Sequence, residues 1–283
     1  MGKESYIKSP MNYVGGKYKL LGQILPLFPE EIDTFVDLFC GGCNVGINVN
    51  AKTIIFNDIM HQLGDLYSAW KEDGYDKTVE YIKNRISQYN LSKTNREGYI
   101  ELRNEYNEKK EIRDLFVLIA YAFNNQIRFN SKEEFNMPFG KDRSEFNKRM
   151  DSNLKNFIDF ITSHKCYFTK NSFTELKLDK LKGNDFVYAD PPYLITCASY
   201  NENGGWNEKC ERDLLNTLDK CNENGIKFAL SNVLENKGLK NEILIEWSKK
   251  YNVHHLNMTY GNCNYHAKDK STNSTDEVLI TNY

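Results

Sequence analysis

Four short apolar runs, bounded by glycine and charge, are the feature of this 283-residue sequence that most restricts its fold. Runs of this length without polar alternation are typical of parallel strands that are buried on both faces. Helical patterns lie between them: Tyr18–Phe28 ends before Pro29, and Arg212–Cys221 places its leucines on one face and ends at Asn224-Gly225. The alternation predicts an α/β fold with a mostly parallel sheet. The four predicted strands are Phe35–Phe39, Thr53–Phe56, Phe186–Ala189 and Ile226–Leu230.

Two parts of the chain depart from this alternation. Val253–Met258 and Glu277–Thr281 have strand patterns without a helix between them, which predicts a terminal antiparallel hairpin on the sheet. From about Leu66 to Lys165 one helical pattern follows another, and a short aromatic, turn-rich stretch interrupts them between Ile127 and Gly140. We interpret residues 1–65 and 166–283 as one sheet-bearing domain. Residues 66–165 are then an inserted helical domain that carries a β-hairpin.

The tetrapeptide Asp190-Pro191-Pro192-Tyr193 directly follows a predicted strand. Ligands of open α/β sheets bind beyond the carboxyl ends of the strands, so chemistry is expected here. An amino nitrogen conjugated to an aromatic ring is a poor nucleophile, and a carboxylate and a rigid carbonyl can each accept one of its N–H bonds. Asp190 and the Pro191 carbonyl suit these roles, because consecutive prolines hold the backbone in place. We predict that all four residues are catalytic and that Tyr193 stacks on the aromatic ring that bears this nitrogen. The alternative is an ordinary strand-end turn.

Three further features are candidates for ligand binding. Phe39 and Gly41 belong to a glycine-rich turn after the first predicted strand, where a backbone without side chains can approach a ligand closely. Asp58 ends the next strand and could accept hydrogen bonds from ribose hydroxyls, with a solvated turn aspartate as the alternative. Tyr13 and Lys17 flank a glycine pair near the N-terminus, and Lys17 could meet a ligand carboxylate.

These motifs, in this order, resemble the Dam-type DNA adenine-N6 methyltransferases (D12 class, group alpha), particularly the T-even phage branch. The similarity covers nearly the whole chain and includes Ser92-Lys93-Thr94, Asp190–Thr196, Ser231-Asn232-Val233-Leu234 and Thr275-Asp276-Glu277-Val278. It implies a Rossmann-like methyltransferase sheet with an inserted target-recognition domain, S-adenosyl-L-methionine as methyl donor and double-stranded GATC as the usual target. By position, it assigns cofactor contacts to Tyr13, Lys17, Phe39, Gly41, Asp58 and Asp190.

The resemblance also implies that the turn-rich stretch reads DNA. Arg128 stands where the family has its guanine-reading arginine, and bidentate Arg–guanine pairing is the commonest specific base contact. Asn130 and Pro138 match the family as well. Phe123, Asn124 and Asn125 fall where the family fills the gap left by the flipped base and touches phosphates.

Two positions in this region differ from the family pattern. Gln126 replaces an apolar residue that usually wedges into the duplex, and Asp142 follows Gly140-Lys141 where a basic residue is usual. Both bear on the recognition sequence and not on the chemistry. The formal net charge of −2 requires positive charge to be concentrated on one face if DNA binds. Local candidates are Lys132, Lys141, Arg143, Lys148 and Arg149.

Other functions fit the sequence less well. Methylation at cytosine C5 needs a cysteine nucleophile, usually after proline, and none of the seven cysteines follows proline. The alternatives that stay open are methylation of an RNA or of cytosine N4, and a catalytically silent DNA-binding relative. We expect no metal, because Cys40 and Cys43 have only His61 near them. We also expect no membrane segment, a cytoplasmic location in a bacterial or phage-infected cell, and a monomer or weak dimer on DNA.

Overall fold

The computed structural model describes residues 6–196, 205–257 and 275–283. Within these ranges, the helices are α1 Leu21–Ile24, α2 His61–Gln88, α3 Arg96–Lys109, α4 Ile112–Tyr121, α5 Lys148–Ser163, α6 Glu208–Glu223 and α7 Glu242–Ser248. The strands are β1 Thr34–Asp37, β2 Thr53–Asn57, β3 Cys166–Thr169, β4 Phe186–Ala189, β5 Lys227–Asn236, β6 Leu239–Lys240, β7 Asn252–Leu256 and β8 Thr275–Thr281. The chain forms a mixed α/β fold.

The chain divides into two compact units, each built from several segments. The helical unit comprises Met1–Tyr18, Gly41–Asn48 and Met60–Lys170. The sheet unit comprises Lys19–Cys40, Val49–Ile59 and Asn171–Tyr283. The predicted assignment of residues 66–165 to target recognition and of the remainder to catalysis concerns function, and it stays a prediction.

In the sheet unit, the strand order is β2-β1-β4-β5-β8-β7. Strands β2, β1, β4 and β5 are parallel, with Val36 opposite both Ile55 and Val187. Strand β8 runs antiparallel to β5 and to β7, and β6 pairs with the end of β5. Because β8 reverses direction, its first residue, Thr275, lies opposite Asn236 at the carboxyl end of β5. The start of β8 therefore shares an edge with the carboxyl ends of β4 and β5.

Apolar burial explains why the predicted strands form this sheet. Every residue of β4 is buried, which matches the continuous apolar run expected of a central parallel strand. Helix α6 packs Leu214, Leu215 and Leu218 into the core cluster that contains Val187. Full burial of such a side chain contributes about 1.5–3 kcal/mol. The four predicted parallel strands and the terminal antiparallel pair are confirmed, although Met258 lies outside the described residues.

Aromatic packing and a buried ion pair hold the helical unit together. The Trp70 ring packs edge-on against Phe116 and Phe157, at centroid distances of 5.0 and 5.7 Å. Arg85 donates two hydrogen bonds of 2.7 Å to the buried Asp114 carboxylate, and this bidentate geometry compensates for removing both charges from water. Helix α2 is kinked at Gly74, whose φ of 71° is not helical. The helical character predicted for this part of the chain is confirmed.

Two local predictions were wrong. The stretch Tyr18–Phe28 is not one helix: a 3₁₀ turn at Lys17–Leu20, the four-residue α1 and a second 3₁₀ turn at Leu25–Leu27 follow one another. Pro26 lies in the second turn, and proline cannot donate the backbone hydrogen bond that a longer helix needs there. The predicted β-hairpin consists of isolated antiparallel bridges, Phe129 with Phe135 and Ala122 with Phe139, without strands.

Among the described helices, none combines the length and the apolar character that crossing a bilayer requires.

Candidate active site

Asp190 is the first residue beyond β4, at the carboxyl edge of the sheet unit. Strand β4 pairs with β1 on one side and with β5 on the other, so its end is fixed by backbone hydrogen bonds on both sides. Asp190 is partly buried, whereas Ala189 before it is fully buried. The sheet thus places one carboxylate where ligands of such folds bind, as the sequence predicted.

The hydroxyl of Tyr193 lies between two carboxylates. It donates to Asp190 Oδ1 at 3.1 Å, and it is also within hydrogen-bonding distance, 3.3 Å, of Glu277 Oε1. Glu277 belongs to β8 and is only 4% exposed. Burial, together with the charges of Asp190 and Glu277, raises the pKa of Tyr193 well above its usual value. Tyr193 therefore remains a phenol and a hydrogen-bond donor throughout the physiological pH range.

A second tyrosine, Tyr188, is buried in the sheet near Asp190. The Tyr188 side chain is 1% exposed, and its hydroxyl lies 2.8 Å from Ser231 Oγ in β5. Burial raises the pKa of Tyr188 well above its usual value, and the charge of Asp190 acts in the same direction. Since Tyr188 is neutral and hydrogen-bonded, no negative charge from this side chain opposes the ionised form of Asp190.

The turn after β1 is held by backbone and side-chain hydrogen bonds within the sheet unit. The Leu38 N–H donates to the Tyr188 carbonyl at 2.9 Å, and the Cys40 N–H donates to the Asn57 carbonyl at 2.8 Å. The buried Asn57 side chain donates to the carbonyls of Leu38 and Asn171. These contacts fix the turn that carries Phe39, and they fix the end of β2 before Asp58.

Phe39 is part of an aromatic cluster. Its ring lies 5.6 Å from Trp206 in an edge-on arrangement and 5.5 Å from Phe173. Trp206 is 8% exposed, so the cluster presents a partly buried apolar surface beside the turn. Asp58 is partly buried directly after β2. An apolar surface and a carboxylate at neighbouring strand ends are the groups that a nucleoside needs for its base and its ribose.

A buried glutamate anchors the aromatic cluster. Glu211 in α6 is fully buried, and its Oε2 accepts a hydrogen bond of 2.6 Å from the indole N–H of Trp206. Its Oε1 accepts from the side-chain amides of Asn232 at 3.1 Å and Asn241 at 2.9 Å. Asn241 also caps the N-terminus of α7 through the Leu244 N–H. One carboxylate thereby connects α6, β5, α7 and the tryptophan beside Phe39.

In the helical unit, Tyr13 packs on the glycine-rich turn. A Cβ atom on Gly41 would lie 2.7 Å from two carbons of the Tyr13 ring, and Gly41 has a φ of +45°. The Gly41 carbonyl accepts a 2.8 Å hydrogen bond from the Tyr67 hydroxyl. Both the close ring contact and the left-handed backbone require glycine at this position. The sequence prediction joined Tyr13 and Gly41 through the cofactor, and the structure brings the two into direct contact.

Lys17 is unusual because it is a lysine that is only 5% exposed. Its ammonium group donates to the Gly15 carbonyl at 2.9 Å, which bends the side chain back over the glycine pair. A buried ammonium group in a glycine turn is suited to an anionic ligand group such as a carboxylate.

The segment after α4 carries the predicted DNA-binding residues. Phe123 is 37% exposed, and the guanidinium of Arg143 lies 5.0 Å from its ring centroid. Asn124 and Asn125 both have positive φ, and the Asn125 side chain caps α4 by donating to the Ala120 carbonyl at 2.8 Å. The backbone here pairs with the segment that contains Pro138, whose carbonyl accepts from the Phe123 N–H.

The turn-rich stretch holds Arg128 at the surface. Arg128 is exposed, and it donates from Nε and Nη2 to the side-chain and main-chain oxygens of Asn136, both at 2.8 Å. The side-chain oxygen of Asn130, Oδ1, accepts hydrogen bonds from the backbone N–H groups of Lys132 and Glu134. Asn130 therefore shapes the turn, and Asn136 orients Arg128. Gln126 is half-buried, whereas Pro138 and Lys141 are exposed, as are the other basic residues named from the sequence.

Each unit thus brings some of the predicted residues together. The sheet unit joins Asp190 and Tyr193, and the helical unit joins Tyr13 and Gly41. Sequence reasoning assigned no role to Glu277, Glu211 and Trp206. The sequence signal for Glu277 was its place in the family-like segment Thr275-Asp276-Glu277-Val278, directly before an apolar run. Glu211 lies among other charged residues of α6, so no local pattern singled it out. Among the residues that the structure describes, no group of three or more His, Cys, Asp or Glu side chains is placed to hold a metal ion.

Comparisons with known proteins agree with this chemistry. Residues 13–262 match the family described as D12 class N6 adenine-specific DNA methyltransferase. The chain is 50% identical over 283 residues to the type II methyltransferase M.FokI of Planomicrobium okeanokoites, covering 99% of this chain and 43% of that protein. It is 46% identical over 286 residues to the modification methylase StsI of Streptococcus sanguinis, with coverages of 99% and 43%.

A more distant relative is the DNA adenine methylase of Escherichia coli strain K12, which is 27% identical over 195 residues, 68% of this chain and 66% of that protein. The chain spans less than half of the length of the M.FokI and StsI proteins. The family match covers most of the sequence and contains both the glycine-rich turn and Asp190-Pro191-Pro192-Tyr193. The chain therefore belongs to the D12 class of N6 adenine-specific DNA methyltransferases.

Proposed function

We propose that the protein containing this chain transfers a methyl group from S-adenosyl-L-methionine to N6 of an adenine that is flipped out of duplex DNA, and that Asp190 activates the adenine. The observation that supports this most directly is the Asp190 carboxylate at the carboxyl end of β4, with its Oδ1 fixed by the Tyr193 hydroxyl at 3.1 Å. The D12 class uses S-adenosyl-L-methionine as methyl donor. When bound, this cofactor supplies an electrophilic methyl group on a sulfonium sulfur.

The reaction requires a nucleophilic lone pair on the exocyclic nitrogen. Asp190 accepts one N6–H bond and the Pro191 carbonyl accepts the other, which favours a tetrahedral nitrogen over one conjugated with the ring. The lone pair on N6 would then accept the methyl group that the cofactor would supply, with the electrons of the broken bond staying on the cofactor, and N6 would lose one proton to solvent. Asp190 stabilises the positive charge that develops on N6, and Pro191 and Pro192 keep the carbonyl from turning away. Tyr193 stacks on the flipped base.

The residues in each unit fit parts of the cofactor. In the sheet unit, Phe39 offers an apolar face for adenine, and Asp58 offers acceptors for the ribose hydroxyls. In the helical unit, the Tyr13 ring packs so closely on Gly41 that no Cβ atom fits between them, and the pair offers a ring edge and a bare backbone to the cofactor. The Lys17 ammonium suits the carboxylate of the methionine part. Together with Asp190, these residues are the cofactor contacts predicted from the sequence.

We further propose that residues 66–165 act in target recognition, and residues 1–65 and 166–283 in catalysis. Arg128 reads a guanine, while Phe123, Asn124, Asn125 and Gln126 contact the space and the phosphates next to the flipped base. Asn130, Pro138 and Lys141 complete the DNA-binding set. GATC is the target that the family resemblance favours, and Gln126 and Asp142 are the positions at which the recognition sequence would depart from it.

The test is transfer of tritiated methyl groups to unmethylated DNA, followed by nuclease digestion and nucleoside chromatography. Label in N6-methyldeoxyadenosine supports the proposal. Label in N4-methyldeoxycytidine, or label only when RNA is supplied, contradicts it. Duplexes with and without GATC then test the recognition sequence separately, since methylation of duplexes that lack GATC rejects that target and leaves the chemistry intact.

A further inference from the structure

The contact between Glu277 and Tyr193 is not explained by the chemistry assigned to the site so far. Glu277 lies 84 residues after Tyr193, yet its Oε1 is 3.3 Å from the Tyr193 hydroxyl. The same hydroxyl is 3.1 Å from Asp190 Oδ1. A phenol has one proton to donate, so the two carboxylates compete for it and are coupled through it.

The surroundings of Glu277 make this contact specific. The next three residues of β8, Val278, Leu279 and Ile280, are fully buried, and Glu277 itself is 4% exposed. A carboxylate in such a position destabilises the fold unless donors compensate for the water that it loses, and the Tyr193 hydroxyl is one of those donors.

The sheet also provides a geometric reason for the position of Glu277. Glu277 lies opposite Val233 of β5, and Asp276 lies opposite Glu235, so the register shifts by one residue directly beside Glu277. Such bulges bend a strand and re-aim a neighbouring side chain, and they are frequent next to active sites. The skipped residue is Leu234, whose carbonyl accepts from the Asn241 N–H at 2.9 Å. This hydrogen bond therefore holds the register shift in place.

We propose that Glu277 is a positioning residue for methyl transfer: by holding the Tyr193 hydroxyl, it fixes the Tyr193 ring and the Asp190 carboxylate in the orientation that the reaction requires. This inference rests on the proposed function of Asp190. Loss of the contact leaves the Tyr193 hydroxyl without one of these two carboxylate partners. The Tyr193 ring can then rotate, and the Asp190 carboxylate moves with it because it is hydrogen-bonded to the hydroxyl. The chemical step is affected more than binding, because the misplaced group acts only on the amino nitrogen.

Four single variants, and a double variant that combines Tyr193→Phe with Glu277→Ala, test the proposal. Glu277→Ala removes the acceptor, and Glu277→Gln keeps a carbonyl oxygen that can accept from Tyr193. Tyr193→Phe removes the hydroxyl and keeps the ring. Asp276→Ala is the matched control, since it removes the adjacent carboxylate, which accepts from His255 at 2.7 Å. Each variant is assayed by single-turnover methyl transfer to duplex DNA, by cofactor and DNA dissociation constants, and by its thermal unfolding midpoint.

We expect Glu277→Ala to slow single-turnover transfer by about 10- to 100-fold, with both dissociation constants within about 3-fold of wild type. Glu277→Gln should restore the rate to within about 3-fold of wild type, and Asp276→Ala should match wild type. In a Tyr193→Phe background, Glu277→Ala should change the rate by less than about 2-fold, because the hydroxyl through which it acts is absent.

Three results would overturn the inference. They are an unchanged rate in Glu277→Ala, a Glu277→Gln variant as slow as Glu277→Ala, and an undiminished effect of Glu277→Ala in the Tyr193→Phe background. If Tyr193→Phe falls below detection, the ratio of the Gln and Ala rates decides. Wild-type protein that methylates no adenine would instead reject the proposed function. A folding defect is recognised by weakened cofactor binding and a lowered unfolding midpoint in Glu277→Ala alone.

Discussion

We expect the substitution Glu211→Gln to destabilise the fold, because the Glu211 carboxylate is surrounded by hydrogen-bond donors. Oε2 accepts from Trp206, and Oε1 accepts from Asn232 and Asn241. Glutamine has the same shape, but one of its two terminal atoms is an amide nitrogen that can only donate. In either orientation, the nitrogen faces at least one N–H group at hydrogen-bonding distance. At least one accepted hydrogen bond becomes a donor–donor contact in a site without solvent access.

The size of the effect follows from these contacts. A hydrogen bond to a charged group contributes about 1.5–3 kcal/mol, and a buried donor left without an acceptor costs about 1–3 kcal/mol. We expect Glu211→Gln to lower the free energy of unfolding by about 3 kcal/mol. For a chain of this size, this corresponds to a decrease in the melting midpoint of about 6–12 °C. Because the Trp206 ring packs against Phe39, cofactor affinity should fall as well.

Urea unfolding and thermal melting measure the effect, with Glu208→Gln as the control. Glu208 is an exposed residue in the same helix, so its replacement should change stability by less than about 0.5 kcal/mol. Adding Trp206→Phe to Glu211→Gln removes one of the opposing donors, and the two effects should be less than additive. A Glu211→Gln protein with wild-type stability would show that the carboxylate is not the anchor described above.

The pH dependence of the free energy of unfolding provides a second test of the role of Glu211. Burial raises the pKa of Glu211 above its ordinary value, and the N–H donors of Trp206, Asn241 and Asn232 act in the opposite direction without cancelling it. The folded state therefore holds this proton more tightly than the unfolded state. Its stabilising contribution is fully present below the unfolded pKa and is lost as pH rises through the folded pKa. The difference in unfolding free energy between wild type and Glu211→Gln should shrink over this interval, and a constant difference would refute the assignment.

Three further substitutions test the site. Asp190→Ala should abolish methyl transfer while DNA binding in a gel-shift assay stays close to wild type; retained turnover would reject its role. Arg128→Ala should reduce discrimination at one base pair by about 1–3 kcal/mol, measured with single-base duplex variants, and a uniform loss across all sequences would identify a phosphate contact instead. Gly41→Ala should weaken cofactor binding at least 10-fold by calorimetry, because it combines a left-handed backbone with a Cβ atom 2.7 Å from the Tyr13 ring. Unchanged affinity would show that the packing of Tyr13 on Gly41 is not needed for cofactor binding.

Local patterns predicted much of the sheet unit. Strand β4 has the predicted boundaries, because a run of four apolar residues between charged or polar neighbours is short for a helix and fits a strand that is buried on both faces. Helix α6 was predicted from the spacing of its leucines, although it begins four residues earlier, where Asn207 caps it. The prediction of one helix over Tyr18–Phe28 was wrong because it followed the apolar periodicity and gave too little weight to Pro26, which breaks helices.

The turn-rich stretch shows a different limit. The aromatic and turn residues around Phe129 and Phe135 correctly indicated antiparallel proximity. They did not show that the backbone pairing stops at isolated bonds, from the Asn130 N–H to the Glu134 carbonyl and from the Asn136 N–H to the Arg128 carbonyl. The side chains of Asn130 and Asn136 add further hydrogen bonds to this short pairing. Such side-chain hydrogen bonds compete with strand pairing, and composition alone does not reveal which of them forms.

The sequence by itself determined which residues could carry the chemistry: Asp190 and the two prolines lie at the end of an apolar run, so their place at a strand end depends only on local pattern. Tertiary structure decided which groups act on them. Glu277 reaches Tyr193 because β8 inserts antiparallel between β5 and β7 and because a register shift lies beside it. Glu211 meets Trp206, Asn232 and Asn241 because α6 packs against β5. These contacts join residues far apart in the chain, and long-range pairing depends on the burial of the whole core, which no local window of sequence contains.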